Sequence, residues 1–136
     1  MYVVVNKCYG GFSLSVKGLY QYCIKKHGQA FLYEKENIDD NIARKVTYSD
    51  KCKDRFIYRV SATDEGDSIN VNEVDFIDYF CIDRTDPALV ATVRELGEGA
   101  NGTYSDLEIV EIPDDVKWHI EDYDGMESIH ENHRVW

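Results

Sequence analysis

Trp118-His119-Ile120-Glu121-Asp122-Tyr123-Asp124-Gly125-Met126-Glu127-Ser128-Ile129-His130-Glu131 is the stretch whose reading decides the fold. Asp124-Gly125 suits the two central positions of a type I′ turn, where both residues need positive φ. Such a turn matches the twist of antiparallel strands and fixes their register. Tyr123 then faces Met126, Asp122 faces Glu127, Glu121 faces Ser128, Ile120 faces Ile129, His119 faces His130 and Trp118 faces Glu131. Because side chains alternate, Trp118, Ile120, Asp122, Glu127, Ile129 and Glu131 share one face. His119, Glu121, Tyr123, Met126, Ser128 and His130 share the other. A short terminal helix over residues 125–132 is the competing reading and would dissolve these pairings.

Two pairings stand out. Asp122 and Glu127 are like charges placed opposite each other, which destabilises a hairpin unless a cation, a metal or a shared proton intervenes. A solvated tip, where screening makes the cost small, is the plainer account. His119 and His130, with Glu121 one step along the same face, are weak candidates for chelating a divalent metal. A surface pair of imidazoles is again the plainer account, so no metal and no cofactor are expected.

Working outward, 136 residues suffice for one domain spanning 1–136 with a core of its own. Residues 1–6 carry no basic leader, and the apolar run is too short for a signal peptide or a membrane span. Cys8, Cys23, Cys52 and Cys81 are scattered without a C-x-x-C, which argues against a zinc ribbon and points to reduced thiols in a cytoplasm. Cys23 falls on the apolar face of a helix and reads as core. Charge is split along the chain. Residues 1–60 carry 11 Lys and Arg against 6 Asp and Glu, and residues 61–136 carry 4 against 20, giving the net −11. That total disfavours duplex DNA and anionic membranes, while the asymmetry suits a homo-oligomer, a basic host protein or mimicry of nucleic-acid phosphates, with plain solubility and no partner the simpler account.

Strand composition marks Tyr2 to Asn6, Ala30 to Tyr33, Arg44 to Tyr48, Arg55 to Ser61, Tyr79 to Ile82 and Leu107 to Ile112. Val71 to Ile77 fits either an irregular strand or a short helical turn. Ser13 or Ser15 caps a helix whose Val16, Leu19, Tyr20, Cys23 and Ile24 recur at helical spacing, and His27-Gly28 ends it. Asp86-Pro87 starts a second helix, with Val90, Val93 and Leu96 as its buried stripe. The sum is an α+β domain, with a largely antiparallel sheet, two packed helices and a C-terminal β-hairpin.

Candidate chemistry gathers at the two ends. Tyr9-Gly10-Gly11-Phe12-Ser13-Leu14-Ser15 joins a strand to a helix, where backbone can approach a phosphate or carboxylate closely. It lacks the spacings of a dinucleotide fingerprint or a P-loop, and a tight corner explains the glycines as well. Ten tyrosines, five phenylalanines and two tryptophans are generous for this length. Tyr9, Phe12, Tyr104, Trp118, Tyr123 and Trp136 lie in or beside loops, where an aromatic ring can stack on a base. Arg134 is the only basic residue after Lys117 and can grip an anion bidentately, or it can pair with Glu111, Asp122 or Glu127. A carboxylate set of Glu111, Asp114, Asp115, Asp122 and Glu127 with His119 or His133 is no tighter than an acidic chain yields by chance.

The glycine corner, together with Ile112-Pro113-Asp114-Asp115-Val116, Tyr123-Asp124-Gly125 and His133-Arg134-x-Trp136, resembles a family of small uncharacterised proteins of bacteriophages, prophages and other large DNA viruses. The resemblance covers about a third of the chain, at its two ends. It departs at Ser128, where the family pattern leads us to expect a large side chain. It implies expression in a host cytoplasm and a counter-defence role. In lifestyle, size and aromatic content the chain is similar to anti-defence sponges that sequester cyclic nucleotide immune signals.

The resulting expectation is a binding protein, not an enzyme, holding a small anionic or nucleotide-like ligand. Its site would join Tyr9, Gly10, Gly11, Phe12 and Ser13 to Trp118, Tyr123, Arg134 and Trp136. An acidic inhibitor of a host protein is the alternative, and a metal-dependent hydrolase at the His and carboxylate cluster the second.

Overall fold

The computed structural model describes residues 1–131. Its elements run β1 (Tyr2–Asn6), α1 (Val16–His27), β2 (Phe31–Lys35), β3 (Ile42–Val46), β4 (Tyr58–Ser61), β5 (Ser68–Asn70), α2 (Pro87–Leu96), β6 (Leu107–Glu111), β7 (Trp118–Tyr123) and β8 (Met126–Glu131). Two helices and antiparallel strands make this an α+β fold ending in a β-hairpin. The strands form three sheets where the sequence suggests one: β1 with β6, the order β4-β2-β3-β5, and the hairpin β7-β8.

The reason the hairpin stays apart from the β1-β6 pair lies on the free edge of β1. Its alternate N–H groups, from Val4 and Asn6, point away from β6. Val4 N–H donates to the Arg84 carbonyl at 2.9 Å. Asn6 N–H donates to Glu127 Oε1 at 2.9 Å. A side-chain carboxylate of β8 therefore occupies the place a ladder carbonyl would take, so the hairpin docks on β1 without extending its sheet.

Helix α1 starts where its cap dictates. Ser15, rather than Ser13, accepts from Gly18 N–H at 2.9 Å. Gly28 ends the helix in the left-handed region at φ 79°, with Lys25, Lys26 and His27 in the last turn. The helix is a wall shared by two apolar cores. Tyr22 packs with Val4, Phe12, Leu89, Val93 and Leu107. Val16 and Cys23 pack with Leu32, Cys52 and Val60 of the four-stranded side. Burial pushes the Cys23 thiol up to about 11, so it is an inert core group.

Helix α2 begins on Asp86, whose carboxylate accepts from Ala88 N–H at 2.9 Å and from the Tyr22 hydroxyl at 3.0 Å, with Lys26 Nζ at 3.1 Å. Burial pushes this carboxyl up, but those donors together outweigh it and hold it below the usual range. The native state thus binds fewer protons here than the unfolded chain. The stabilisation is present above the unfolded carboxylate value, near 4, and is lost as pH falls through the lower folded value. Asp86→Ala is expected to lower stability by about 1–2 kcal/mol. Asp86→Asn should also shrink the loss of stability between pH 6 and pH 3. Urea midpoints at the two pH values check both, and an unchanged loss in the Asn variant would refute the linkage.

Two stretches differ from their sequence reading for one reason. Tyr79–Cys81 is a 3-10 turn, not a strand, because Asp78 Oδ1 accepts from Phe80 N–H at 2.9 Å. The expected strand from Arg55 begins only at Tyr58, because Asp54 Oδ1 accepts from Phe56 N–H at 2.9 Å. In each case an aspartate caps the backbone two residues on, which competes with a ladder. Val71–Glu73 takes the helical-turn option. β5, which the strand composition does not mark, pairs its three residues with β3.

Candidate functional site

The hairpin has the register that its Asp-Gly turn requires, from Trp118 opposite Glu131 to Tyr123 opposite Met126. Asp124 and Gly125 have φ of 51° and 89°. Asp122 accepts from Gly125 N–H at 2.7 Å. Its neighbour Glu127 turns inward and is buried, paired with the Arg84 guanidinium at 2.6 and 2.8 Å. A cation thus resolves the like-charge pair, and the solvated-tip account fails for Glu127. Arg84 also lies over the Phe12 ring, 3.5 Å from its centre.

The glycine corner and the hairpin do meet, and they meet by contact. Asn6 Nδ2 donates to the Gly125 carbonyl at 2.7 Å. A Cβ on Gly125 would lie 2.3 Å from the Gly11 nitrogen. Tyr9 and Tyr123 touch edge to face at 6.5 Å on the exposed surface. Trp118 is half-buried at the far end of β7, roughly 17 Å along the strand from Tyr123. Arg134 and Trp136 lie outside the described residues, as does His133. Phe12 is core, its ring covered by Arg84 and edged by Tyr79.

On the outer face of the hairpin, Glu121 receives His119 Nε2 at 3.1 Å on one oxygen and His130 Nε2 at 3.0 Å on the other. Ser128 Oγ also meets His130 Nε2, at 2.8 Å. The hydrogen bond from His119, aided by the charge of His130, holds the Glu121 carboxyl below its usual range. The carboxylate spans the two rings instead of sharing a vacant point with them. Among the described residues no group of three or more His, Cys, Asp or Glu is arranged to hold a metal ion.

The concavity beside the corner is walled by the middle of the chain. A cavity of about 660 Å³ is lined by Gly10, Gly11, Phe12 and Ser13 of the corner, and by residues 55, 56, 58–60 and 76–80. Two Asp-x-Phe turns contribute to this lining: Arg55 and Phe56 from Asp54-Arg55-Phe56, and all three residues of Asp78-Tyr79-Phe80. Each capping aspartate throws its phenylalanine outward, leaving Phe56 51% and Phe80 72% exposed. The middle residues tie the turns together, with Arg55 Nη1 donating to the Tyr79 hydroxyl at 3.2 Å. Arg59 donates to the Arg55 carbonyl at 2.8 Å. Among the described residues neither arginine has a carboxylate within 4.0 Å, although Asp78 also lines the cavity. Two guanidinium groups with remaining donors and two exposed ring faces suit an anion carrying a planar ring.

Sequence reasoning passes over Arg55, Phe56, Arg59 and Phe80. The signal that marks them is the basic surplus of residues 1–60, combined with aromatics two residues after an aspartate. No helix among the described residues is long and apolar enough to cross a membrane, and all four cysteines are free thiols. Comparison with protein-family models, with curated proteins and with solved structures finds no match for this chain.

Proposed function

We propose that the protein binds a small anionic, ring-bearing ligand of nucleotide type and holds it without turnover. The observation that carries this reading is the pair of Asp-x-Phe turns, which present Phe56 and Phe80 beside two arginines that have no carboxylate within 4.0 Å among the described residues. Arg55 and Arg59 neutralise the phosphate, the phenylalanines stack on the ring, and the glycine corner forms the opposite wall. No imidazole lines the cavity among the described residues, and what the lining offers is recognition. In the viral setting that the terminal motifs resemble, holding such a ligand removes a host signal from solution.

Calorimetric titration with AMP tests the reading. AMP is expected to bind, and Arg55→Ala to weaken it at least tenfold, about 1.4 kcal/mol. Phe80→Ser is expected to cost about 1–3 kcal/mol, the scale of one stacked base. Tyr123→Ser, outside this cavity, should leave the affinity unchanged. Absence of AMP binding at millimolar concentration, or indifference to Arg55→Ala, would overturn the assignment.

A further inference from the structure

The cavity between the corner and the turns has a neighbour. A second cavity of about 470 Å³ is lined by Lys17, Tyr48, Asp50, Cys52 and Lys53, with Asn101, Gly102 and Thr103 across from them. The two cavities share Leu14, Ser15, Val16 and Arg55. Arg55 therefore stands on the divide, with its guanidinium carbon 5.0 Å from the centre of the Phe56 ring. Each cavity alone falls within the roughly 300–1,000 Å³ of an ordinary small-molecule site.

Their chemistry repeats. The first offers Phe56 and Phe80 as ring faces with Arg55 and Arg59 as cations. The second offers Tyr48, held flat against Tyr20 with ring centres 4.6 Å apart, and Lys17 and Lys53 as cations. Among the described residues lining the two cavities, the acids against these four cations are Asp50 and Asp78, and Asp50 lies 3.9 Å from Lys17 Nζ. An aromatic surface on each side, with a guanidinium between them, matches two planar rings joined through a phosphate.

Resting on the nucleotide reading above, we infer that the ligand spans both cavities and belongs to the dinucleotide class, with one base in each and the bridging phosphate at Arg55. A single nucleotide fills one cavity and leaves Lys17, Lys53 and Tyr48 unused. A dinucleotide uses both without a second binding event, and the gain comes from linking the two halves.

Calorimetry on the purified full chain with three probes tests this at one salt concentration. AMP fills one cavity, ADP adds charge without a second ring, and the linear diadenylate pApA supplies both rings. The expected result is pApA binding at least tenfold more tightly than either AMP or ADP. Lys53→Glu, a change at an exposed position, should narrow that advantage to below threefold. If AMP binds and pApA binds no more tightly than ADP, or if Lys53→Glu leaves the advantage intact, the two-cavity assignment is wrong and the single-site reading stands. If none of the three binds, the nucleotide reading falls and this inference with it.

Discussion

Glu127→Gln is expected to destabilise the protein by about 3 kcal/mol, the lower end of the roughly 3–5 kcal/mol that follows when one partner of a buried pair is removed. Glu127 is 5% exposed and Arg84 19% at the side chain, so the guanidinium keeps some access to water. The amide would still accept from Asn6 N–H, but its own N–H₂ would face the Arg84 donors. Arg84 would lose its counter-charge while staying pinned by Val4 and by the Phe12 ring. The consequence should be local before it is global. Amide exchange in β8 and at the free edge of β1 should quicken more than exchange in α1. Urea unfolding of Glu127→Gln, Arg84→Met and the double variant isolates the pair term, expected to exceed about 2 kcal/mol. A coupling below about 0.5 kcal/mol would mean that the hairpin is held by something other than this pair.

Gly125→Ala is the second large effect, expected near 3 kcal/mol. Two costs add at this position. The left-handed φ of 89° strains any residue with a Cβ by roughly 1–2 kcal/mol. The added methyl would also lie 2.3 Å from the Gly11 nitrogen and 2.8 Å from the Tyr9 carbonyl, and both are backbone atoms that cannot rotate aside. Gly28→Ala separates the two terms. Gly28 has a similar φ of 79° and nothing within 4 Å of where its methyl would sit, so it should show the backbone strain alone, about 1 kcal/mol. Equal losses in the two variants, read from thermal or urea midpoints, would show that the hairpin tip does not press on the corner.

The features legible in the chain are those set by neighbouring residues. Asp124-Gly125 dictates the hairpin register through its need for positive φ. Ser15 and Asp86-Pro87 mark helix starts because an unsatisfied N–H needs an acceptor close by in sequence. The separation of the hairpin from the β1-β6 pair is hidden, because it depends on Glu127 reaching Asn6 across 121 residues and Arg84 across 43. Composition alone also favours strand at 55–57 and 79–82, where aromatics and β-branched residues cluster. The aspartates at 54 and 78 override that preference, and in doing so they build the wall of the cavity. Of the residues that the sequence assigns to a site, Gly10, Gly11, Phe12 and Ser13 line that wall's partner, whereas Tyr9, Trp118 and Tyr123 do not.

The Asp-x-Phe turns are closed by hydrogen bonds two residues long, and neither phenylalanine belongs to a strand ladder or an apolar cluster. Replacing Phe56 or Phe80 therefore touches no bond between distant parts of the chain. Positions 56 and 80 can thus vary in shape and polarity while the interior stays intact.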